Sequence, residues 1–151
     1  MRNVFSVDLG LLLLRLAAGI LLLVSGLRKS SWLGLDGASD YVAGLAVPFA
    51  EHIGTALPFV EIIGGALLVL GLLTRLAAAV MMLLAGAGAY LLLDAGPVFV
   101  NVHGWNEPFL LLLGNPLEFM ILYAVLSLAL VFTGPGAFSV DAPAWRSIRR
   151  R

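Results

Sequence analysis

The chain has 151 residues, 61% of them hydrophobic and only 12% charged, with a mean hydropathy of +1.03. Water-soluble domains carry about a quarter charged residues, so this composition excludes an ordinary soluble fold and points to a single integral membrane domain over 1–151. Formal net charge is zero and cysteine is absent, which excludes dithiol chemistry, iron–sulfur ligation, thioether haem attachment and structural disulfides within this chain.

Four apolar runs predict an all-α, four-span helix bundle. The first, about 9–27, contains Arg15 and has no small-x-small cleavage site behind it, so it is expected to be retained as a span. Residues 28–56 are rich in Gly, Ser and Ala and include Trp32, Tyr41, Pro48 and Phe49. Their apolar stretches are too short to cross, which predicts an interfacial or re-entrant segment. The second span, about 57–73, holds Glu61 followed by Gly64 and Gly65, and Thr74-Arg75 turns the chain directly into the third span, 76–93. Residues 94–116 are polar and aromatic, with His103, Trp105, Asn106 and Glu107. The fourth span, 117–133, begins near Glu118 and closes at Gly134-Pro135-Gly136, which cannot continue a helix.

Basic residues set the expected orientation. Arg2, Arg75, Arg146, Arg149, Arg150 and Arg151 fall on one side, and only Arg28 and Lys29 on the other. That imbalance predicts cytoplasmic N- and C-termini. The basic tail, 142–151, suits an anionic membrane surface better than nucleic acid, because no second basic patch or aromatic interleaving accompanies it.

A weak internal repeat relates Arg15-Leu16-Ala17-Ala18 to Arg75-Leu76-Ala77-Ala78, with Ser25-Gly26 matching Ala85-Gly86. Glu61 and Glu118, each shortly after a proline, then correspond loosely; chance similarity among Leu/Ala-rich helices is the competing explanation. If the repeat holds, Arg15 lies at the inner edge and Arg28 and Lys29 sit level with Glu61. In the other register Arg15 is deep and itself reaches towards Glu61. Either way Glu61 gains a cationic partner.

Helical spacing puts Glu61, Gly65, Leu68, Leu72 and Arg75 on one stripe. Gly19 and Gly26, and Ala78, Ala85 and Ala89, form small-residue faces on other spans. Such faces let helices approach closely in lipid, and tight packing explains them without a ligand. Carboxylates inside spans are costly and face a partner or a polar cavity. Glu61 and Glu118, with Lys29, are therefore the candidate functional groups, able to relay a proton or to hydrogen-bond a polar headgroup. A structural ion pair locking the bundle is the plain alternative. Glu51-His52 and His103 lack metal-ligand spacing and read as interfacial polar residues, so no metal site is expected. Trp32, Trp105 and Tyr41 read as interfacial belt residues.

In Leu13-Leu14-Arg15-Leu16, Gly26-Leu27-Arg28-Lys29, Glu61-Ile62-Ile63-Gly64-Gly65, Gly71-Leu72-Leu73-Thr74-Arg75 and the ending Thr133-Gly134-Pro135-Gly136-Ala137-Phe138-Ser139-Val140-Asp141, the chain resembles the DoxX family of small four-span bacterial membrane proteins. The resemblance covers about 8–141, and the stretch 94–115 departs from it. It implies a membrane subunit of a redox complex, since relatives include a subunit of thiosulfate:quinone oxidoreductase. The family's polar positions fall on Arg15, Lys29, Glu61 and Glu118, which would line a quinone or polar pocket. The chain would carry no cofactor of its own beyond such a quinone, and its partners would be lipid and other protein subunits, not nucleic acid. An accessory or assembly subunit without chemistry, and a small-molecule or lipid transporter, are the rival expectations.

Overall fold

A computed structural model describes residues 2–44, 47–95 and 116–142. It is an all-α bundle, as expected from the hydropathy. Helix α1 spans Arg2–Arg28 and runs into a wide π-type turn, Lys29–Leu33, which Gly34 ends with φ 73°. Helix α2 is Gly34–Gly44, α3 is Ala50–Leu70, α4 is Thr74–Ala95 and α5 is Pro116–Thr133. Three stretches, Phe5–Ser31, Ala50–Leu70 and Thr74–Leu93, are long and apolar enough to cross a membrane, and Leu117–Thr133 is a shorter apolar helix.

Helix α3 starts well before the apolar run that marks it in the sequence. Phe49 turns the chain in a left-handed conformation, and Glu51 sits in the first turn, where a carboxylate favours the helix dipole. The polar residues of these outer turns are served by α2. Ser39 Oγ lies 3.2 Å from the Glu51 carbonyl and 3.3 Å from Thr55 Oγ1, beside Gly54, where a Cβ would run into the α2 backbone. The segment between the first two spans is thus a short helix packed on the outer half of α3. At its other end α3 stops at Gly71, in left-handed conformation. The Gly71 and Leu72 N–H groups cap the Leu68 and Leu67 carbonyls at 3.2 and 2.9 Å.

Two antiparallel helix pairs, α1 with α3 and α4 with α5, make the bundle. In the first pair the backbones nearly touch: a Cβ on Gly19 would come 2.8 Å from the Gly65 carbonyl, and one on Gly26 would come 2.6 Å from the Pro58 carbonyl. Small residues supply the attraction here because lipid offers no hydrophobic drive for association. In the second pair Ala78, Ala85 and Ala89 are buried. Ala18, Leu22, Leu68, Met81, Tyr123 and Leu130 fill the axis between the pairs. Leu13, Ile63, Leu76, Leu83, Leu93 and Phe132 remain exposed, as side chains facing lipid would.

Residues 134–142 fold back as a clasp over the ends of all four long helices. Arg15, 1% exposed, donates to the Pro135 carbonyl and, at 2.6 Å, to that of Phe138. Asp8 accepts from Ala137 N–H at 3.0 Å. Asp141 caps α4 from outside the helix, accepting from Thr74 N–H at 2.9 Å and lying 3.3 Å from Thr74 Oγ1. Arg75 donates to the Phe132 carbonyl at 3.2 Å. Both arginines of the repeated Arg-Leu-Ala-Ala motif therefore hold carbonyls at the end of α5, consistent with the register that places Arg15 at this edge.

Candidate functional site

The inward stripe of α1 carries Arg15, Ala18, Leu22, Ser25 and Lys29 at helical spacing, polar at its two ends and apolar between. On α3 the facing stripe is Pro58, Glu61, Gly65 and Leu68. Contacts of Gly26 with Pro58 and Ile62, and of Gly19 with Gly65 and Val69, fix the relative heights of the two helices. Lys29 then begins about one turn outward of Glu61, a gap its four-carbon stem covers.

Lys29 Nζ donates to Glu61 Oε1 in an ion pair, and Ser25 Oγ donates to Glu61 Oε2 at 3.0 Å. The Glu61 side chain keeps 10% exposure, whereas that of Lys29 keeps 23%. The carboxylate thus has each oxygen matched to a donor, while the ammonium retains two further N–H groups and a route to its surroundings. Glu61 lies near the middle of α3, not in its outer half, because the helix begins at Ala50. It stands ten residues, about 15 Å, from the Gly71 end. Pro58, one turn before it, has no N–H for the Gly54 carbonyl, and Lys29 is the first residue of the wide turn. Regular helix geometry is interrupted on both sides of the pair.

Of the polar positions Arg15, Lys29, Glu61 and Glu118, the structure brings together Lys29 and Glu61. Arg15 sits near Gly71, at the far end of the bundle, with carbonyls as its partners. Its distance from Glu61 removes it from any shared pocket. Glu118 is exposed in the first turn of α5, and among the described residues no hydrogen bond or ion pair joins it to Glu61 or Lys29. Its correspondence with Glu61 fails for a simple reason: Pro116 opens α5, whereas Pro58 lies inside α3. Measured from the left-handed glycines that end the two helices, Gly71 and Gly134, the residue at the height of Glu61 is Ala124, next to Tyr123. Glu51 and His52 are exposed on the outer turns of α3. His103, Trp105, Asn106 and Glu107 lie outside the described residues, as do the side chains of Trp32 and Tyr41.

Two residues join the picture that sequence reasoning left aside. Ser25, four residues before Lys29 on the same face, completes the coordination of the carboxylate, and that i, i+4 spacing was the signal. Tyr123 is buried, and its Oη donates to the Ala18 carbonyl at 2.8 Å, tying the second pair to the first.

Among the described residues, the second pair has no equivalent ion pair. The repeat places Ala85 where Ser25 stands and Ala89 where Lys29 stands, and both are buried. Close packing of small residues holds that pair without charge.

One comparison bears on identity. The DoxX family model matches residues 10–93, more than half of the chain, a stretch that holds Arg15, Ser25, Lys29 and Glu61 but not α5 or the clasp. Neither a curated protein nor a solved structure matches.

Proposed function

The chain belongs to the DoxX family, and we propose that it is the membrane subunit of a quinone-linked redox complex, with Ser25, Lys29 and Glu61 as its polar pocket. The observation that carries this reading is a charged pair near mid-helix between α1 and α3, where buried alanines stand at the matching positions of α4. A charge retained at that depth against its insertion cost calls for a use.

The residues fit a quinone headgroup. Lys29 has spare donors for a carbonyl oxygen, and Glu61 is an acceptor for a hydroxyl proton. Leu22 and the α1–α3 glycine seam would give such a pocket an apolar wall. A bound quinone would supply the electron-accepting group; Glu61 would exchange a proton at Oε1, and Lys29 would hold the counter-charge and orient the ring. Ser25 would keep the carboxylate in place while Lys29 changes partner. The electron donor and any sulfur chemistry would come from partner chains, because this one has no cysteine. Both termini would lie in the cytoplasm of a bacterial inner membrane, by the distribution of arginines.

The decisive variant is Glu61→Gln, which keeps shape and hydrogen bonding but removes the charge. It is expected to leave the protein folded and to abolish quinone-linked turnover of the complex; unchanged turnover would sink the assignment. The accessory-subunit reading is favoured by one observation, a donor on each of the two Glu61 oxygens, which suffices for a structural lock. A transport path along the axis is disfavoured by the side chains that fill it.

A further inference from the structure

Helix α5 carries three aromatic residues in two different surroundings. Phe132 is 74% exposed, as a ring facing lipid would be, whereas Phe119 and Tyr123 stand four residues apart and pack inward. Tyr123 is buried, and its Oη, donating to the Ala18 carbonyl at 2.8 Å, holds the ring across the axis. Phe119 stacks on it, with ring centroids 6.1 Å apart and planes 29° from parallel. Phe119 is half-buried, so it is the member of the pair with surface left to offer.

This aromatic pair lies level with the polar site. Helices α3 and α5 run in the same direction, and each ends at a left-handed glycine, Gly71 or Gly134. Glu61 stands ten residues from its glycine and Tyr123 eleven from its own. The charge of Glu61 also acts on the Tyr123 hydroxyl across the axis. Phe119, one turn outward of Tyr123, matches Lys29, about one turn outward of Glu61. An acid–amine pair on α1 and α3 is thus paralleled by an aromatic pair on α5, which lies outside the stretch matched by the family model. Sites for small molecules combine a few placed polar groups with aromatic walls in this way.

We propose that Phe119, with Tyr123 fixed behind it, is the stacking residue of this site, and that the site selects a ligand with a flat conjugated ring. The proposal rests on the reading of Lys29 and Glu61 as a ligand pocket, and it adds the residue that recognises the ring. An acyl chain or a phosphate headgroup gains nothing from an aromatic face that leucine would not also supply, whereas a conjugated ring gains offset stacking. With its face on Phe119, such a ring turns an oxygen substituent to Lys29, whose spare N–H groups donate to it.

The test titrates the full chain, at fixed concentration of a mild detergent, with two probes. One is a benzoquinone bearing a single isoprenoid unit; the other is the matching cyclohexane-1,4-dione, which keeps both carbonyls but has no conjugated ring. The unmodified chain should hold the quinone about three- to tenfold more tightly than the dione. Phe119→Leu should weaken quinone binding by about the same factor and leave dione binding unchanged, and Phe119→Tyr, which keeps the ring, should bind both as the unmodified chain does. Equal affinities of the unmodified chain for the two probes would overturn the proposal without recourse to any variant. So would an equal loss of both probes in Phe119→Leu. Glu61→Gln separates the two readings: quinone binding lost there but intact in Phe119→Leu would overturn the stacking role and leave the pocket standing. No binding of either probe to the unmodified chain would overturn both.

Discussion

Removing both members of the Lys29–Glu61 pair should cost less than the sum of removing each alone. In Glu61→Ala the ammonium loses its counter-charge and the Ser25 hydroxyl loses its acceptor. Breaking a fully buried pair costs about 3–5 kcal/mol. The Lys29 side chain keeps 23% exposure, so the lower end of that range, about 3 kcal/mol, is expected here. Lys29→Ala leaves a carboxylate that still accepts from Ser25 and should cost about 2 kcal/mol. The double variant leaves no orphan charge, and its cost should lie below the sum by roughly 2–3 kcal/mol. Equilibrium unfolding in mixed detergent micelles, followed by circular dichroism across the four proteins, measures that coupling. A coupling below about 0.5 kcal/mol would show that the two groups do not meet in the folded protein, refuting the site geometry.

Other consequences follow from the clasp and the glycine seam. Arg15→Leu should destabilise the bundle by about 3 kcal/mol by leaving the Pro135 and Phe138 carbonyls without their donor, whereas Arg15→Lys, a point charge on one stem, should recover only part of that in the same unfolding assay. Asp141→Ala removes the cap on α4 and should cost about 1 kcal/mol, with faster amide exchange confined to the first turn after Thr74. Gly26→Leu forces side-chain atoms into the Pro58 backbone and should cost about 3 kcal/mol or more, while Gly86→Leu, with nothing within 4 Å of the new Cβ, should change stability by less than about 0.5 kcal/mol. Equal effects of these two glycine substitutions would contradict the α1–α3 contact.

Hydropathy carries the class and the helices because every span must satisfy its backbone internally and present apolar side chains to lipid. It misplaces the start of α3, since Glu51, His52 and Thr55 read as loop until α2 is there to receive them. The Lys29–Glu61 pairing is legible through the repeat: aligning Arg15 with Arg75 moves the first span outward and brings Lys29 to Glu61. The role of Arg15 is not legible, because its partners are backbone carbonyls some 120 residues away, and a carbonyl leaves no mark in a sequence. The Thr133–Asp141 ending is recognisable as a motif, yet its work as a clasp emerges only when Asp8, Arg15, Thr74 and Arg75 are seen around it. Glu118 shows the opposite failure, for a proline nearby says nothing of depth unless the helix start is known.

The proposal is that Ser25, Lys29 and Glu61 bind a quinone headgroup. Its most direct test is the quinone content of the gently extracted protein together with its co-purifying chains, measured by mass spectrometry for the unmodified chain and for Glu61→Gln. About one quinone per chain beside a redox partner, lost in Glu61→Gln while the partner stays bound, is the expected result. Equal quinone in both proteins, or none in either beside a large unrelated complex, would contradict the pocket and leave the ion pair a structural lock.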